Sequence, residues 1–219
     1  MKSLLRFFSA RASLVIAPSR RTLLVLAGAV LAVLVLGGAA WFWYAAEQSR
    51  AKAAYADVMV RVAAAEGPQA TAEARTAAAR DLEAILARYP SAAAVPQMAY
   101  QLGNVRYGAG QYAAARAAYE VVLARGATGT LRTLAQVGRG YTWEAERDWA
   151  KAMDAYRAAL ATLGPKDFYY EALLVDLART QELAGRKDEA VETYRRILKE
   201  LPQARRGEEV RARLMRLGG

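Results

Sequence analysis

Gly110-Gln111-Tyr112-Ala113-Ala114-Ala115-Arg116-Ala117-Ala118-Tyr119, Arg147-Asp148-Trp149-Ala150-Lys151-Ala152-Met153-Asp154-Ala155-Tyr156 and Gly185-Arg186-Lys187-Asp188-Glu189-Ala190-Val191-Glu192-Thr193-Tyr194 share one pattern, an alanine followed four residues later by a tyrosine. The anchor alanines Ala115, Ala152 and Ala190 stand 37 and 38 positions apart. A degenerate copy built on Ala78, Leu82 and Ile85 and closed by Pro90 precedes Ala115 by the same 37 positions. Self-similarity at such a period marks stacked supersecondary units, each too small to bury its apolar stripe alone.

Each copy reads as two helical patterns separated by a short turn. A small residue where two antiparallel helices cross lets the backbones approach, and a large one a turn later fills the groove towards the next unit. Leu102-Gly103, then Gly140, then Leu177-Ala178 supply the small positions on the first helices. Pro90 and Pro202 end second helices, and Gly126 and Gly164-Pro165 mark boundaries between units. Further on, Gly207 to Leu217 puts Val210, Leu214 and Leu217 on one helical face. Glu208 and Glu209 stand in the first turn and Arg211, Arg213 and Arg216 follow, the charge order a helix dipole favours. The predicted fold is all-α, an α-solenoid of about four helix-turn-helix repeats with a C-terminal capping helix over 203–219.

The pattern resembles the tetratricopeptide repeat (TPR) family. The second copy carries Ala99, Leu102, Gly103, Gly110, Tyr112, Ala115 and Tyr119 at the family's positions, and the fourth carries Leu174, Leu177, Ala178, Gly185, Ala190, Tyr194 and Pro202. Three or four extra residues per repeat, the missing proline after Tyr119, and Arg139 where leucine is usual depart from it. The resemblance implies a TPR-like domain over 45–202 whose first helices line a concave face. By register, that face would present Gln97, Tyr100, Gln101, Asn104 and Tyr107 in the second repeat, Tyr141 and Glu144 in the third, and Val175, Asp176, Arg179 and Glu182 in the fourth. Tyrosine gives stiff, amphipathic contact area and Asn/Gln can bond an extended peptide's backbone, so these residues form the expected partner groove. Equally, any one of the tyrosines could pack between helices instead. The family's clamp for chaperone tails requires several groove Lys/Arg and paired Asn, and only Asn104 and Arg179 answer to it.

Ahead of the repeats, Leu23 to Tyr44 (LLVLAGAVLAVLVLGGAAWFWY) is free of charge. As a helix it extends about 33 Å, enough for a bilayer core of roughly 30 Å, and Trp41, Phe42, Trp43 and Tyr44 form an interfacial aromatic girdle. Lys2, Arg6, Arg11, Arg20 and Arg21 all precede the first acidic residue, Glu47. The positive-inside rule therefore makes 1–22 a basic cytoplasmic tail, 23–44 a transmembrane helix, and the remainder extracytoplasmic. A signal cleaved after Ala40, a twin-arginine signal at Arg20-Arg21, and a mitochondrial presequence over Lys2 to Ala17 are alternative readings that keep the repeats outside the cytosol or matrix. Gly28 and Ala32 form a small-xxx-small face through which the span could pair, so a homo-oligomer is one expected state.

Composition narrows the chemistry. The 219 residues contain neither Cys nor His, which excludes thiol nucleophiles, disulfides, Cys/His zinc sites and every imidazole mechanism. Lys and Arg number 31 against 21 Asp and Glu, for +10; without the five N-terminal cations the balance is 26 to 21. Those 26 interleave with acids and form no aromatic-basic stripe, so nucleic acid is not an expected partner. Only Ser49 and Ser91 follow residue 47, and Gly126-Ala127-Thr128-Gly129-Thr130 lacks the Gly-Lys-Ser/Thr of a phosphate loop. The acidic runs Glu144-x-Glu146-x-Asp148 and Asp188-Glu189 scatter around a helix and read as solvated faces. Hence no catalytic, cofactor-binding or metal-ligating residue is expected, and the chain reads as a non-enzyme.

The basic tail, single span ending in Trp41-Phe42-Trp43-Tyr44, helix beginning near Gln48, and degenerate first repeat before Pro90 together resemble the ancillary SecYEG translocon subunit family of bacterial inner membranes. That resemblance implies a single-pass periplasmic scaffold with protein partners, among them the translocon or periplasmic chaperones. A mainly structural subunit that binds through its span or convex face is the competing expectation.

Overall fold

A computed structural model describes residues 19–67 and 69–218. These form nine helices, with no strand among the described residues: α1 (Arg20–Glu66), α2 (Ala72–Arg88), α3 (Val95–Gly108), α4 (Tyr112–Ala124), α5 (Gly129–Ala145), α6 (Trp149–Leu160), α7 (Tyr170–Leu183), α8 (Lys187–Glu200) and α9 (Gly207–Leu217). Two compact units divide at Ala46/Glu47. Most of the basic tail expected at 1–22 lies outside the described residues.

In the first unit, Ser19 caps α1 through its Oγ to the Thr22 N–H at 3.3 Å. From Arg20 to Tyr44 every side chain is exposed, the aromatic run included. α1 is the one helix among the described residues long and apolar enough to cross a membrane. No new helix starts near Gln48, contrary to expectation, because α1 runs on to Glu66. The intervening Ala45-Ala46-Glu47-Gln48 and Ala51-Lys52-Ala53-Ala54 are strong helix formers, with neither Gly nor Pro to interrupt them.

The second unit is an all-α, TPR-like solenoid. Its helices pair as α3/α4, α5/α6 and α7/α8, each second helix packs on the first helix of the next pair, and α9 packs on α8. In the degenerate first repeat, Ala51, Val58, Val62 and Ala65 of α1 meet Ala78, Leu82 and Ile85 of α2 in one buried cluster with Val95 and Met98 of α3. Thr71 caps α2 by accepting from the Ala74 N–H at 3.2 Å.

The three regular hairpins turn identically. Gly110, Arg147 and Gly185 adopt left-handed φ values of 74°, 61° and 74°. Each N–H bonds three residues back, to Tyr107, Glu144 and Glu182, while the next N–H bonds five back, to Arg106, Trp143 and Gln181, all at 2.8–2.9 Å. This is the Schellman closure, which satisfies the last helical carbonyls and prefers glycine at the left-handed position. Arg147 adopts that conformation with a Cβ, at a cost of roughly 1 kcal/mol.

Alanine and tyrosine then lock the pairs. Ala115, Ala152 and Ala190 are fully buried, as are Tyr156 and Tyr194, and Tyr119 is nearly so. A methyl on Gly103 would overlap the Tyr119 ring, and one on Gly140 would overlap the Tyr156 ring. Gly138 does what the sequence reading left unassigned. It receives the far side of the Tyr119 ring, with a Cβ position only 2.5 Å from Cζ, so the ring sits between glycines of two successive repeats. Arg139, at the usual leucine position, points instead to Gln136 Oε1 at 3.3 Å and Glu120 of α4 at 3.8 Å. At the end of the chain, Val210 and Leu214 of α9 complete the cluster of Tyr170, Leu174, Val175, Ala178, Tyr194 and Ile197.

Candidate partner-binding cleft

First helices in this solenoid share a register of 37 and then 38 residues, so side chains from α3, α5 and α7 fall into columns. Tyr100, Val137 and Val175 share one column, Gln101, Gly138 and Asp176 the next, Asn104, Tyr141 and Arg179 the third, and Tyr107, Glu144 and Glu182 the fourth. A cleft of about 780 Å³ opens along them. Tyr100, Asn104, Tyr107, Tyr141 and Asp176, all expected groove residues, line it.

Its wall is a run of aromatic rings. Tyr107 stands with its centroid 5.6 Å from Tyr112 and 6.5 Å from Tyr141, Tyr141 meets Tyr156 edge-on at 6.0 Å, and Tyr100 lies 6.0 Å from Tyr119. Such offset and edge-on contacts fix ring orientation before any ligand arrives. Tyr107 is the most open of them. Tyr100 and Tyr141 are half-buried and serve both as wall and as packing.

Polar contacts hold the lining residues Asn104, Tyr119, Tyr141 and Asp176 in place. Tyr119 donates to Asn104 Oδ1 at 2.9 Å, and Asn104 Nδ2 donates to Gln101 Oε1 at 3.2 Å. Tyr141 donates to Asp176 Oδ2 at 2.9 Å. Arg179 Nη2 bonds both oxygens of Glu144, at 3.0 and 2.7 Å, and reaches Asp176 Oδ1 at 3.4 Å. Thr180 Oγ1 donates to Glu144 Oε1 as well. Burial raises the Asp176 carboxyl above its ordinary range against the opposing pull of Tyr141 and Arg179. Burial, then the Asp176 charge and hydrogen bond, raises the Tyr141 phenol. Glu144 is therefore no solvated acid: with 12% of its side chain exposed, it is an ion-pair partner tying α5 to α7.

Six expected groove residues do not line the cleft. Gln101, Glu144 and Arg179 act on it only through the contacts above, and three others lie elsewhere. Val175 is fully buried beneath Val210 and Leu214, because α9 covers the column that α3 and α5 leave open. Glu182 is held from the same side, accepting from Tyr194 and from Arg213 Nη1 of α9 at 3.2 Å. Gln97 is exposed and does not line the cleft. Residues that the sequence reading missed take their places. Leu134 and Ala172 stand one and two register steps from Gln97 and could have been found by those steps, while Val137 and Gly138 are the α5 members of the first two columns above. The α6–α7 loop from Pro165 to Tyr169 closes one end, with Leu201, Arg205 and Arg206 from the approach to α9; no periodicity points to loop residues.

Three other members of the acidic runs have structural partners, while Asp188 is exposed. Glu146 pairs with Arg116 at 2.7 Å, Asp148 caps α6 through the Lys151 N–H at 3.2 Å, and Glu189 meets Arg157 and Arg186 at 3.1 Å. No group of three acidic side chains close enough to hold a metal ion occurs among the described residues.

A family model described as a tetratricopeptide repeat matches residues 172–204, the span of α7 and α8. No curated protein matches the chain. The α7–α8 hairpin is thus similar to a tetratricopeptide repeat by sequence, and α3/α4 and α5/α6 repeat its turn and its tyrosine lock.

Proposed function

We propose that this chain is a membrane-tethered TPR scaffold that holds a protein partner in the cleft between α3, α5 and α7, on the extracytoplasmic side of an inner membrane. The observation that carries the reading is the cleft itself: about 780 Å³, walled by pre-oriented tyrosines and open where Tyr107 stands. Rigid aromatic anchors beside a few polar groups are what partner recognition uses, because they bury area with little loss of side-chain freedom. TPR repeats commonly mediate protein–protein interactions and are generally non-enzymatic, which agrees with a cleft whose carboxylates are all occupied by internal partners.

Tethering rests on α1, whose apolar stretch from Leu23 has no partner within its unit and ends in Trp41 to Tyr44. The cations before Glu47 orient it with the N-terminus in the cytoplasm. Among extracytoplasmic scaffolds, protein export beside the SecYEG translocon, with delivery to periplasmic chaperones, is the role that the arrangement of tail, span and repeats favours.

Quantitative mass spectrometry of proteins co-purifying with the full chain in mild detergent, beside a Tyr107→Ala variant, tests this reading. Tyr107 is exposed enough to change without dismantling the hairpins. Loss of a partner from the variant supports the cleft. An unchanged partner list overturns it and moves the contact to the span or the convex face.

A further inference from the structure

Beyond Glu47, α1 carries two apolar faces. Ala51, Val58, Val62 and Ala65 are buried against α2 and α3. On the opposite side of the helix Ala53, Ala56, Val60 and Ala63 are exposed, Val60 to 76%. The end of a solenoid needs a polar outer face to remain uncovered in water. At the far end α9 supplies one, turning Glu208, Arg211 and Arg216 outward, whereas the open face of α1 holds no charge.

Its spacing is that of a helix seam. Ser49, Ala53, Ala56, Val60 and Ala63 follow one another at intervals of four, three, four and three. This is the alternation along which two helices pack side by side, and small side chains let their backbones approach closely. Upstream in the sequence, Val25, Ala32, Ala39 and Ala46 keep the same seven-residue interval to Ala53 and Val60. Lys52 and Asp57 flank the seam on its two sides. In a parallel, in-register pair of helices, a residue just before one core position faces the residue five places further on in the other helix. Lys52 therefore faces Asp57 of the second copy, and by symmetry Asp57 faces Lys52. Both are exposed and neither makes an ion pair among the described residues. Arg61, one turn beyond Asp57, is turned away to Asp81 at 2.7 Å.

We infer that a second copy of this chain docks in parallel along this face of α1, with Ala53, Ala56 and Val60 at the contact and Lys52 paired with Asp57 of the other copy. The parallel sense rests on the tethered reading above, because two copies inserted the same way into one membrane run side by side. The cleft, built on α3, α5 and α7, takes no part in the contact, so a pair offers two clefts to a partner.

The chain contains no cysteine, so single-Cys variants report the contact without background. Disulfide crosslinking of the full chain in bacterial inner membranes tests it, using Ala53→Cys, Ala56→Cys and Val60→Cys, with Ala117→Cys on the exposed side of α4 as the control for random collision. An in-register pair brings each seam residue against its own copy, so all three should give covalent dimer at about tenfold the yield of the control. Adding Lys52→Glu to the Ala56→Cys chain sets like charges face to face and should lower the yield about fivefold, as should Asp57→Lys alone, while both together should restore it. Seam yields equal to the control, or a double exchange that fails to restore, overturn the pairing. A crosslink at one seam position and not at the other two overturns the parallel register. Alkaline extraction of the same membranes reads the tether separately: chains that wash out yet crosslink at all three positions keep the pairing and overturn the tether.

Discussion

Tyr119 and Tyr156 occupy the same place in successive hairpins, yet their surroundings differ. Tyr119 lies between Gly103 and Gly138, and its hydroxyl donates to Asn104. Tyr156 lies on Gly140, but the counterpart of Gly138 is Asp176, and the ring faces Leu173, Leu177 and Tyr141. Its hydroxyl is fully buried with no hydrogen-bond partner among the described residues. One junction is closed by a ring in a glycine slot, whereas the next adds a charged network of Glu144, Arg179, Asp176 and Tyr141 beside its ring. The difference teaches that the repeat fixes where the ring goes, while the residues around it decide whether the junction is held by shape alone or also by charge.

The largest expected effect breaks the shape-held side. Gly138→Leu forces a side chain into the Tyr119 ring and should cost about 3 kcal/mol, read as a lowered midpoint in urea unfolding followed by circular dichroism. Gly140→Leu should do the same at the neighbouring junction. A small effect from either would mean that the ring can leave its slot.

The charged side responds to loss of its cation. Arg179→Met strands Glu144 and Asp176 and should cost about 2 kcal/mol at neutral pH. Because burial raises the folded-state pKa of Asp176, its proton is held more tightly in the folded chain. That contribution is fully present below the ordinary Asp value of about 3.9 and is lost as pH rises through the folded value. The Arg179→Met deficit should therefore narrow in acid, whereas the Gly138→Leu deficit should not change with pH.

Removing hydroxyls sharpens the comparison further. Tyr119→Phe gives up a made hydrogen bond and should cost about 1 kcal/mol, while Tyr156→Phe removes an unpartnered buried hydroxyl and should be neutral or stabilising. At high pH both junctions should fail together. Burial raises the phenols of Tyr119, Tyr141, Tyr156 and Tyr194, so their stabilising contribution holds below the free-tyrosine value of about 10 and is lost above it. Tyrosinate absorbance and loss of helicity should then rise in one cooperative step.

The smallest effect lies at the turn. Arg147 holds the left-handed position that Gly110 and Gly185 hold in the sister hairpins. Arg147→Gly should stabilise by about 0.5 kcal/mol, the relief of a crowded Cβ less the added freedom of the unfolded chain. A calorimetric melting point that falls instead would show that the Arg147 side chain contributes more than its backbone costs.

Much of this was legible because a repeat places residues by arithmetic. The alanine and tyrosine anchors, the Gly110 and Gly185 turns and the small positions Gly103 and Gly140 all follow from a single register, while α9 is read from its own apolar face and charge order. What escaped depends on neighbours the register does not encode. Gly138 gains its role from a ring on the preceding hairpin, and Val175 and Glu182 lose theirs to α9, which takes the place of the next first helix. Phe168 and Arg205 meet only because two loops far apart in sequence converge. The continuation of α1 past Gln48 shows the converse: without a helix breaker, composition carries a helix across a domain boundary that reads as a junction.

The central claim is that the cleft, and not another surface, meets the partner. Photo-crosslinking in intact membranes tests it most directly, with a photoreactive amino acid placed singly at Tyr107 or Phe168 in the cleft and at Val121, an exposed position outside it. The account predicts a discrete crosslinked protein from Tyr107 and Phe168 and none from Val121. A crosslink from Val121 with none from the cleft positions would contradict it.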